Sequence, residues 1–584
     1  MKFFIHILLF SILITFHKAN AQYFNKITNT PISTHTGDSR SVNWIDVNND
    51  NQVDCFISNG PSGGQNNFLY INAGSGTFSL VTTDSITLDN KPSDGATFSD
   101  IDNDGDIDAF VVNWYNVNNL FYLNNGNGNF TKINSQILAN DLGYSETAAW
   151  GDYDKDGLVD LYVTNSAGIK KNYLYHNNGN ANFTKVTVGD LVNDAFFSRN
   201  INWVDIDNDA DLDVFVTNEN NQNEIIYRND GAGNFTKLTG SPLLSDGGNT
   251  NSSSWADIDN DGDLDVFLAN DLSYNGLFKN NGNFNFIKII SDTVVKTPAR
   301  SFSSAWSDVD NDGDLDLFVT NAFANGSKLV NYFYLNDGNG NFSRNTTDII
   351  TQDSAWSYGC AFGDYDNDGF EDLTVATCRF NGVDYGDFLY HNNTNSNHWI
   401  TVKLIGTISN KSAIGTKVKI KSFINGNPVW QMREISSQSS YCGQNDLRVH
   451  FGLGNGVLVD SLKIEWPLGL TETYTNISSN QFLTYYEGAA TVNIKESDRK
   501  LNNALSIFPN PAYNEITLKL NKQEFHKGDV ITLINSQGKQ EFQYHVVHHE
   551  KEILIKIPKL ISGVYFIHFE KNNKTFDIKK LIIN

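Results

Sequence analysis

The sequence predicts an all-β chain: a seven-bladed β-propeller followed by two smaller β-sandwiches. Three observations predict it. An acidic loop motif recurs seven times at nearly constant spacing, short strand-like segments lie between the copies, and the period stops abruptly near residue 396. The clearest copy is WADIDNDGDLDVFLAN (255–270), where Asp257, Asp259, Asp261, Asp263 and Asp265 alternate along nine residues. A buried strand cannot carry them, because each unpaired buried charge costs several kcal/mol or more. A helix is disfavoured by the poor propensity of Asp and by like-charge repulsion. A loop folded around a hard cation does suit them. Oxygen ligands at positions 1, 3, 5 and 9, a backbone carbonyl at 7 and glycine at 6 make a Ca²⁺ nest similar to the start of an EF-hand loop. An EF-hand closes with Glu at position 12 between helices. Here position 12 is Leu268 and both flanks are strand-like, so the loop is expected at the tip of a β-hairpin.

The first aspartates of the copies are Asp46, Asp100, Asp152, Asp205, Asp257, Asp308 and Asp364, in steps of 51 to 56 residues. A fixed period of this size marks a repeat architecture. Each repeat has a strand ending in Trp44, Phe98, Trp150, Trp203, Trp255, Trp306 or Phe362, then the acidic loop. A second strand follows, as in DVFVTN (213–218) and DLFVTN (316–321), and a third, as in NLFYLN (119–124) and NYFYLN (331–336). An Asn-Gly turn leads to a fourth, as in GNFTKI (128–133) and GNFTKL (233–238). Four strands in about 50 residues make a propeller blade, and seven blades close a ring. The seventh repeat lacks its fourth strand, because NHWITVKL follows FLYHNN (388–393). YFNKIT (23–28) resembles the missing strand, so the N-terminus is expected to complete the seventh blade and remove an open sheet edge.

These loops resemble those of FG-GAP or VCBS repeat proteins, whose propeller is the one seen in integrin α subunits. The resemblance covers residues 22–396 and implies up to seven structural Ca²⁺ ions. The matching ligand positions are Asp46, Asn48, Asp50 and Asp54 in the first repeat; Asp100, Asp102, Asp104 and Asp108 in the second; and Asp152, Asp154, Asp156 and Asp160 in the third. The fourth and fifth have Asp205, Asp207, Asp209 and Asp213, then Asp257, Asp259, Asp261 and Asp265. The sixth and seventh have Asp308, Asp310, Asp312 and Asp316, then Asp364, Asp366, Asp368 and Asp372. Two loops depart from the pattern. The first has neutral Asn48 and Asn51 in place of Gly, and the fourth has Ala210 in place of Gly, where positive φ costs about 1 kcal/mol. These two are expected to bind most weakly. None of the loops contains His and none resembles an open catalytic Zn²⁺ site, so the ions are read as staples.

Residues 397–488 are all strand and turn. Phe451-Gly452-Leu453-Gly454 and Trp466-Pro467 resemble the anchors of the ASPIC/UnbV domain, expected as a small β-sandwich with Trp399 and Trp466 in its core. A polar linker (489–503) precedes residues 504–584. There FPNPA, QGK, GVYFI and a terminal KKLII resemble, in order, the Ig-like type A sorting domain of type IX secretion. Residues 1–21 read as a signal peptide: Lys2, an apolar run from Ile5 to Phe16, and Ala19-Asn20-Ala21 as cleavage site. The apolar run is too short to span a bilayer, and no other segment could. The resemblance implies a protein secreted by, or held on the outer surface of, a gram-negative bacterium, handled by the type IX machinery.

A net charge of −25 argues against nucleic acid or anionic lipid as partner. Four cysteines are too few for a disulfide framework, though Cys360 and Cys378 flank the seventh loop and could pair across its hairpin. Gly60-Pro61-Ser62-Gly63-Gly64 fits G-x-S-x-G without a following helix, and reads as a loop coincidence. His176 and His391 share one repeat position held elsewhere by Leu123, Arg228 and Leu335, and read as structural; His545 and His549 lie in a loop or strand. The connections after each second strand carry Trp114, Tyr115, Tyr274, Phe323, Phe380 and Tyr385 on the face opposite the acidic loops, and suit sugars or peptides as well as ordinary loop packing. The expected function is non-enzymatic binding of an extracellular glycan or protein. The alternatives are a polysaccharide- or ester-cleaving enzyme on the same scaffold and a structural surface component.

Overall fold

The computed structural model describes residues 22–245 and 247–488, and, towards the C-terminus, 505–508, 512, 515–520, 524–535, 540–557, 560, 563–571 and 574–583. The signal segment, the linker and the QGK element lie outside the described residues. Each acidic loop joins the first two strands of a four-stranded antiparallel sheet, as in Ser145–Gly151, Asp160–Asn165, Tyr173–Asn177 and Phe183–Val186. Seven such blades follow one another, the fifth and sixth joined where Asp265–Tyr274 pairs with Pro298–Ser307, and their first strands pack side by side around a central channel. Closure is as expected. Phe24–Ile27 pairs with Phe388–Asn392 as the outer strand of blade 7, and the Phe24 side chain is fully buried there.

Residues 398–486 form a sandwich of two sheets. One holds Val449–Gly454, His398–Ile405 and Gln481–Tyr486; the other holds Asn427–Glu434, Lys417–Ile424, Leu458–Glu465 and Thr471–Ser478. Trp399 and Trp466 are 8% and 1% exposed, both in the core. In the C-terminal domain, Leu505–Phe508, Glu515–Leu520 and Glu552–Lys556 make one sheet, and Gln540–His545, Val530–Asn535, Gly563–Lys571 and Lys574–Ile583 another. They share an apolar core that includes Leu518, Phe525, Ile567 and Leu581.

The sandwich is not a separate appendage. It covers the acidic-loop end of the propeller and sends residues 435–446 down the channel. Gly443–Gln444 adds a parallel strand to Val42–Ile45 of blade 1. Gly359 and Gly443 let the two backbones touch: a Cβ at Gly359 would sit 2.2 Å from the carbonyl O of Cys442. The plug satisfies channel groups that the ring leaves open. Gln444 bonds both the N–H and the C=O of Phe98 (2.9 and 3.0 Å), and Ser437 does the same for Trp150 (2.7 and 3.0 Å). At the centre the Tyr441 hydroxyl lies 2.6 Å from Glu146, 2.9 Å from Asp94, 3.0 Å from the Tyr358 hydroxyl and 3.1 Å from Arg199 Nη2.

The disulfide left open by the sequence does not form. Cys360 faces Val375 across the hairpin, not Cys378, and all four cysteines are free and buried. The Cys378 thiol turns instead to the carbonyl of Ser39 in blade 1, at 3.1 Å.

Replacing Tyr441 with Phe removes the hydroxyl at the centre of this buried network. It is expected to cost about 1–3 kcal/mol, read as a lower midpoint in chemical denaturation; an unchanged midpoint would contradict the plug's structural role.

Candidate metal centre

Every predicted ligand residue lies in its loop at a hairpin tip, and the loops share one geometry. In the second, Asp100 Oδ1 accepts from the N–H of Asp104 (3.1 Å) and Oδ2 from that of Gly105 (2.8 Å). Asp104 accepts from the N–H of Asp106 at 2.9 Å. These turns fold the carboxylates inward, so that oxygens of Asp100, Asp102 and Asp108 lie within 4.8 Å of one another, as do those of Asp152, Asp154 and Asp156. Position 6 has positive φ throughout, including Asn51 (+65°) and Ala210 (+70°), where the sequence lacks Gly.

The donors fit a hard divalent cation. They are all oxygen, and position 3 carries acceptors that the protein itself leaves unpartnered. One carboxylate oxygen each of Asp102, Asp154, Asp207, Asp259 and Asp366 is buried with no hydrogen-bond donor in reach. Burial and neighbouring carboxylates raise the loop acids. Asp54 and Asp265 are pushed up to about 8, Asp108 and Asp213 to about 9, and Asp100, Asp152 and Asp257 to about 7, desolvation being the largest cause in each. A bound dication would let these groups ionise at neutral pH by supplying the opposite charge.

Position 9 does more than the sequence reading assigned to it. In each loop its Oδ2 accepts the N–H of position 2, at 3.0–3.4 Å, and its Oδ1 accepts the N–H of the Asn that ends the third strand, at 2.7–2.9 Å. That Asn then reaches the preceding blade. Asn124 Nδ2 donates to the Val47 carbonyl (2.7 Å), and Asn72 closes the ring to Tyr365 (2.7 Å). A second belt runs the other way. Asn at position 4 donates to the position-6 carbonyl of the next loop, as in Asn103 to Gly157 (3.0 Å) and Asn367 to Asn51 (3.2 Å). Blade 3 has Lys155 there and substitutes an ion pair with Asp211 at 2.7 Å. The signal was present in the sequence: an Asn ends every third strand, at 72, 124, 177, 229, 280, 336 and 392.

Basic groups close on the acidic ring from two directions. On the blades, His176 Nδ1 lies 3.2 Å from Asp160, His391 Nδ1 lies 3.1 Å from Asp372, and Lys279 pairs with Asp259 and Asp261. Hydrogen bonding to the carboxylate raises each imidazole to about 9, so both are cationic when the loops hold no metal. From the sandwich, Lys417 Nζ lies 2.8 Å from Asp205 and Lys403 Nζ 3.5 Å from Asp46. Those are the fourth and first loops, the two that depart from the consensus. Gly452 donates its N–H to Asp308 (3.0 Å), and Arg448 donates to the Asp364 carbonyl (3.3 Å). Residues 397–488 carry eight Lys and Arg against six Asp and Glu, in a chain of net charge −25.

The aromatic residues expected on the opposite face are there, but they do not form one patch. Trp114 stacks edge-on with Tyr115 and Tyr144 at 4.6 and 4.9 Å. Lys328 sits over the rings of Tyr385 (3.3 Å) and Phe380 (5.6 Å). Tyr274 stands alone in blade 5, 56% exposed. Phe323 lies in the short strand Phe323–Ala324, with its side chain outside the described residues. The channel brings together Tyr358, Tyr441, Glu146, Asp94 and Arg199, a convergence hidden in the sequence. These groups bond one another, and Tyr441 and Glu146 are 0% and 1% exposed.

The model of the FG-GAP-like repeat family matches residues 46–111, 100–163, 152–216, 205–268, 257–319 and 308–375, together more than half of the chain. The chain belongs to the FG-GAP-like repeat family. The ASPIC and UnbV model matches 406–492, and the secretion system C-terminal sorting domain matches 506–584. That tail marks type IX secretion to the cell surface or beyond it. Among the described residues no helix is long and apolar enough to cross a membrane. Cartilage acidic protein 1 of Xenopus tropicalis is 27% identical over 45% of this chain and 40% of its own length; that of Mus musculus is 24% identical over 56% and 49%. The FG-GAP chain thus spans less than half the length of these relatives. Among solved structures, YCF48 bound to D1 peptide covers 64% of this chain and 96% of its own at 10% identity and TM-score 0.41. The BP39L lectin from Burkholderia pseudomallei covers 62% and 97% at 12% identity and TM-score 0.40. At these scores neither says what this chain binds.

Two outcomes follow from the loop geometry. Calorimetry with Ca²⁺ is expected to show the first and fourth FG-GAP loops weakest, with Asn51→Gly and Ala210→Gly each tightening its site; equal affinity at all sites would refute the ranking. In chelator, acids whose folded pKa is raised from about 4 to between about 7 and 9 stabilise the fold at low pH and lose that contribution as pH rises through that range. The melting temperature in chelator should therefore fall from pH 5 to pH 9, and excess Ca²⁺ should flatten the fall. The same slope in both conditions would contradict it.

Proposed function

We propose that this protein is a calcium-bound, non-enzymatic recognition protein of the cell surface or exterior, holding an extracellular glycan or protein on the face opposite its acidic loops. The observation that carries the reading is the disposition of the two faces. The ASPIC/UnbV sandwich covers the acidic-loop face through Lys403, Lys417 and Arg448. The opposite face keeps long connections with exposed Tyr115 and Tyr274 (43% and 56%). Rigid aromatic rings among amides and carboxylates suit sugars and peptide chains.

Ca²⁺ is the cation of this reading because the loops offer hard oxygen donors in the 1, 3, 5, 9 pattern, and extracellular Ca²⁺ is abundant enough for modest sites. The non-enzymatic part rests on the burial of the convergent Tyr, Arg and acidic groups in the channel, where the plug takes up the hydrogen bonds of Tyr441, Glu146 and Tyr358.

A glycan and matrix-protein array, probed with the exported chain in Ca²⁺ and again in chelator, tests the proposal. Binding in Ca²⁺ that is reduced at least about tenfold by Tyr115→Ala or Tyr274→Ala (about 1.4 kcal/mol) is expected. Binding that neither substitution changes, or no binding at all, would overturn it.

A further inference from the structure

On the face opposite the acidic loops, where blades 7, 1 and 2 meet, lies a cavity of about 460 Å³. That is within the size range of small-molecule sites, about 300–1,000 Å³. It is lined by Asp38, Arg40, Gln65, Tyr115, Trp356 and Arg379, and roofed on one side by the loop 60–64 whose G-x-S-x-G pattern carried no catalytic reading.

The floor is a built structure. Asp38 is 4% exposed and organises its neighbours. Its Oδ1 accepts the N–H of Arg379 (2.9 Å), its Oδ2 accepts Arg40 Nη2 (3.3 Å), and its own N–H donates to Gln65 Oε1 (2.9 Å). The Arg40 guanidinium lies over the rings of Tyr358 (4.8 Å) and Trp356 (5.8 Å). Gly60 makes room for it, since a Cβ there would come within 2.8 Å of Arg40 Cγ.

The floor is also rich in unused donors. The Arg40 guanidinium has one hydrogen bond among the described residues, from Nη2 to Asp38; its Nε is buried beside Gly60, so the terminal nitrogens are the donors a ligand would meet. Gln65 spends its carbonyl on Asp38 and presents its amide NH₂. Arg379 is neutralised by Asp384 through two bonds, of 2.6 and 2.9 Å. With Asp384 counted beside Arg379, two arginines balance two aspartates at this cavity, so a carboxylate would meet no net negative charge from them. Tyr115 and Trp356 stand beside these donors.

We infer that this cavity binds a carboxylated sugar, the uronic acid unit of an acidic glycan, with its carboxylate on Arg40 and Gln65 and a ring face against Tyr115 or Trp356. The planar Arg fork matches a carboxylate geometrically, and an aromatic face takes the C–H face of a pyranose. This deepens the proposed function and rests on it.

The test uses the exported chain in Ca²⁺, titrated with glucuronate, galacturonate, glucose, acetate and a short peptide with a free C-terminal carboxylate, followed by ligand-observed NMR and calorimetry. Uronates should bind at least about tenfold tighter than glucose or acetate (about 1.4 kcal/mol). Arg40→Gln should abolish the preference and Arg40→Lys restore part of it. Because Arg40 is packed among rings and could matter for folding, Gly63→Phe serves as the second variant. A Cβ at Gly63 meets nothing within 4 Å, so the new ring should fill the cavity without disturbing the blade. Gly63→Phe should remove uronate binding and leave the melting temperature unchanged. Equal binding of glucose and uronate, tighter binding of the peptide, no uronate binding, or full binding by a folded Gly63→Phe variant would each overturn the assignment. If the array detects a ligand that Gly63→Phe does not affect, the recognition reading stands and only this pocket falls.

Discussion

The carboxylate at the ninth position of each acidic loop is the constraint on which the rest of the propeller depends. It accepts one backbone N–H from its own loop and one from the third strand of its blade, and the Asn it fixes there reaches the blade before. Loop and blade contact are therefore one hydrogen-bonded unit repeated around the ring. The same residue is buried beside other acids, which makes it costly as an ion and weak as an acceptor when protonated. A divalent cation at positions 1, 3 and 5 would resolve that conflict. It would supply the charge that lets the ninth residue stay ionised and keep both of its charge-assisted bonds.

The sandwich answers the same electrostatic problem from the other side. Lys417, 5% exposed in its side chain, pairs with Asp205, and Lys403 approaches Asp46, in the two loops least suited to a metal. A lysine ammonium is a point charge that needs no coordination sphere, so it can serve where position 6 is Ala or Asn. The channel shows a parallel economy. Ser, Thr and Asn on the first strands leave open donors and acceptors, and the plug from the sandwich meets those of Thr97, Asn202, Ser303 and Ser304. Propeller and sandwich are thus coupled by polar satisfaction as well as by apolar contact, and buried polar groups are costly when left half-paired.

Much of the ring was legible in the sequence because it repeats. Seven loops in register reveal hairpin tips, and YFNKIT is recognisable as a displaced fourth strand only because six complete repeats define what is missing. The positive φ of Asn51 and Ala210 could be read from their place in the motif. The plug could not. Its residues, ISSQSSYCGQND, are small and polar, and their partners lie between 240 and 400 residues away along the chain in several cases, as with Tyr441 and Glu146. The roles of Lys403 and Lys417 depend on how two domains dock, which no local pattern encodes. The Cys360 pairing turned on a strand register shifted by a bulge between Ser357 and Cys360. The binding cavity was hidden for a similar reason: Arg40 and Trp356 belong to opposite ends of the propeller sequence and meet only because the ring closes.

We propose that these loops hold cations in the folded protein. The most direct test is a metal count on the exported chain, equilibrated with Ca²⁺, desalted and analysed by native mass spectrometry beside elemental analysis. At least five tightly held Ca²⁺ ions per folded chain are expected, one for each loop of full consensus. A folded chain that carries none would contradict it.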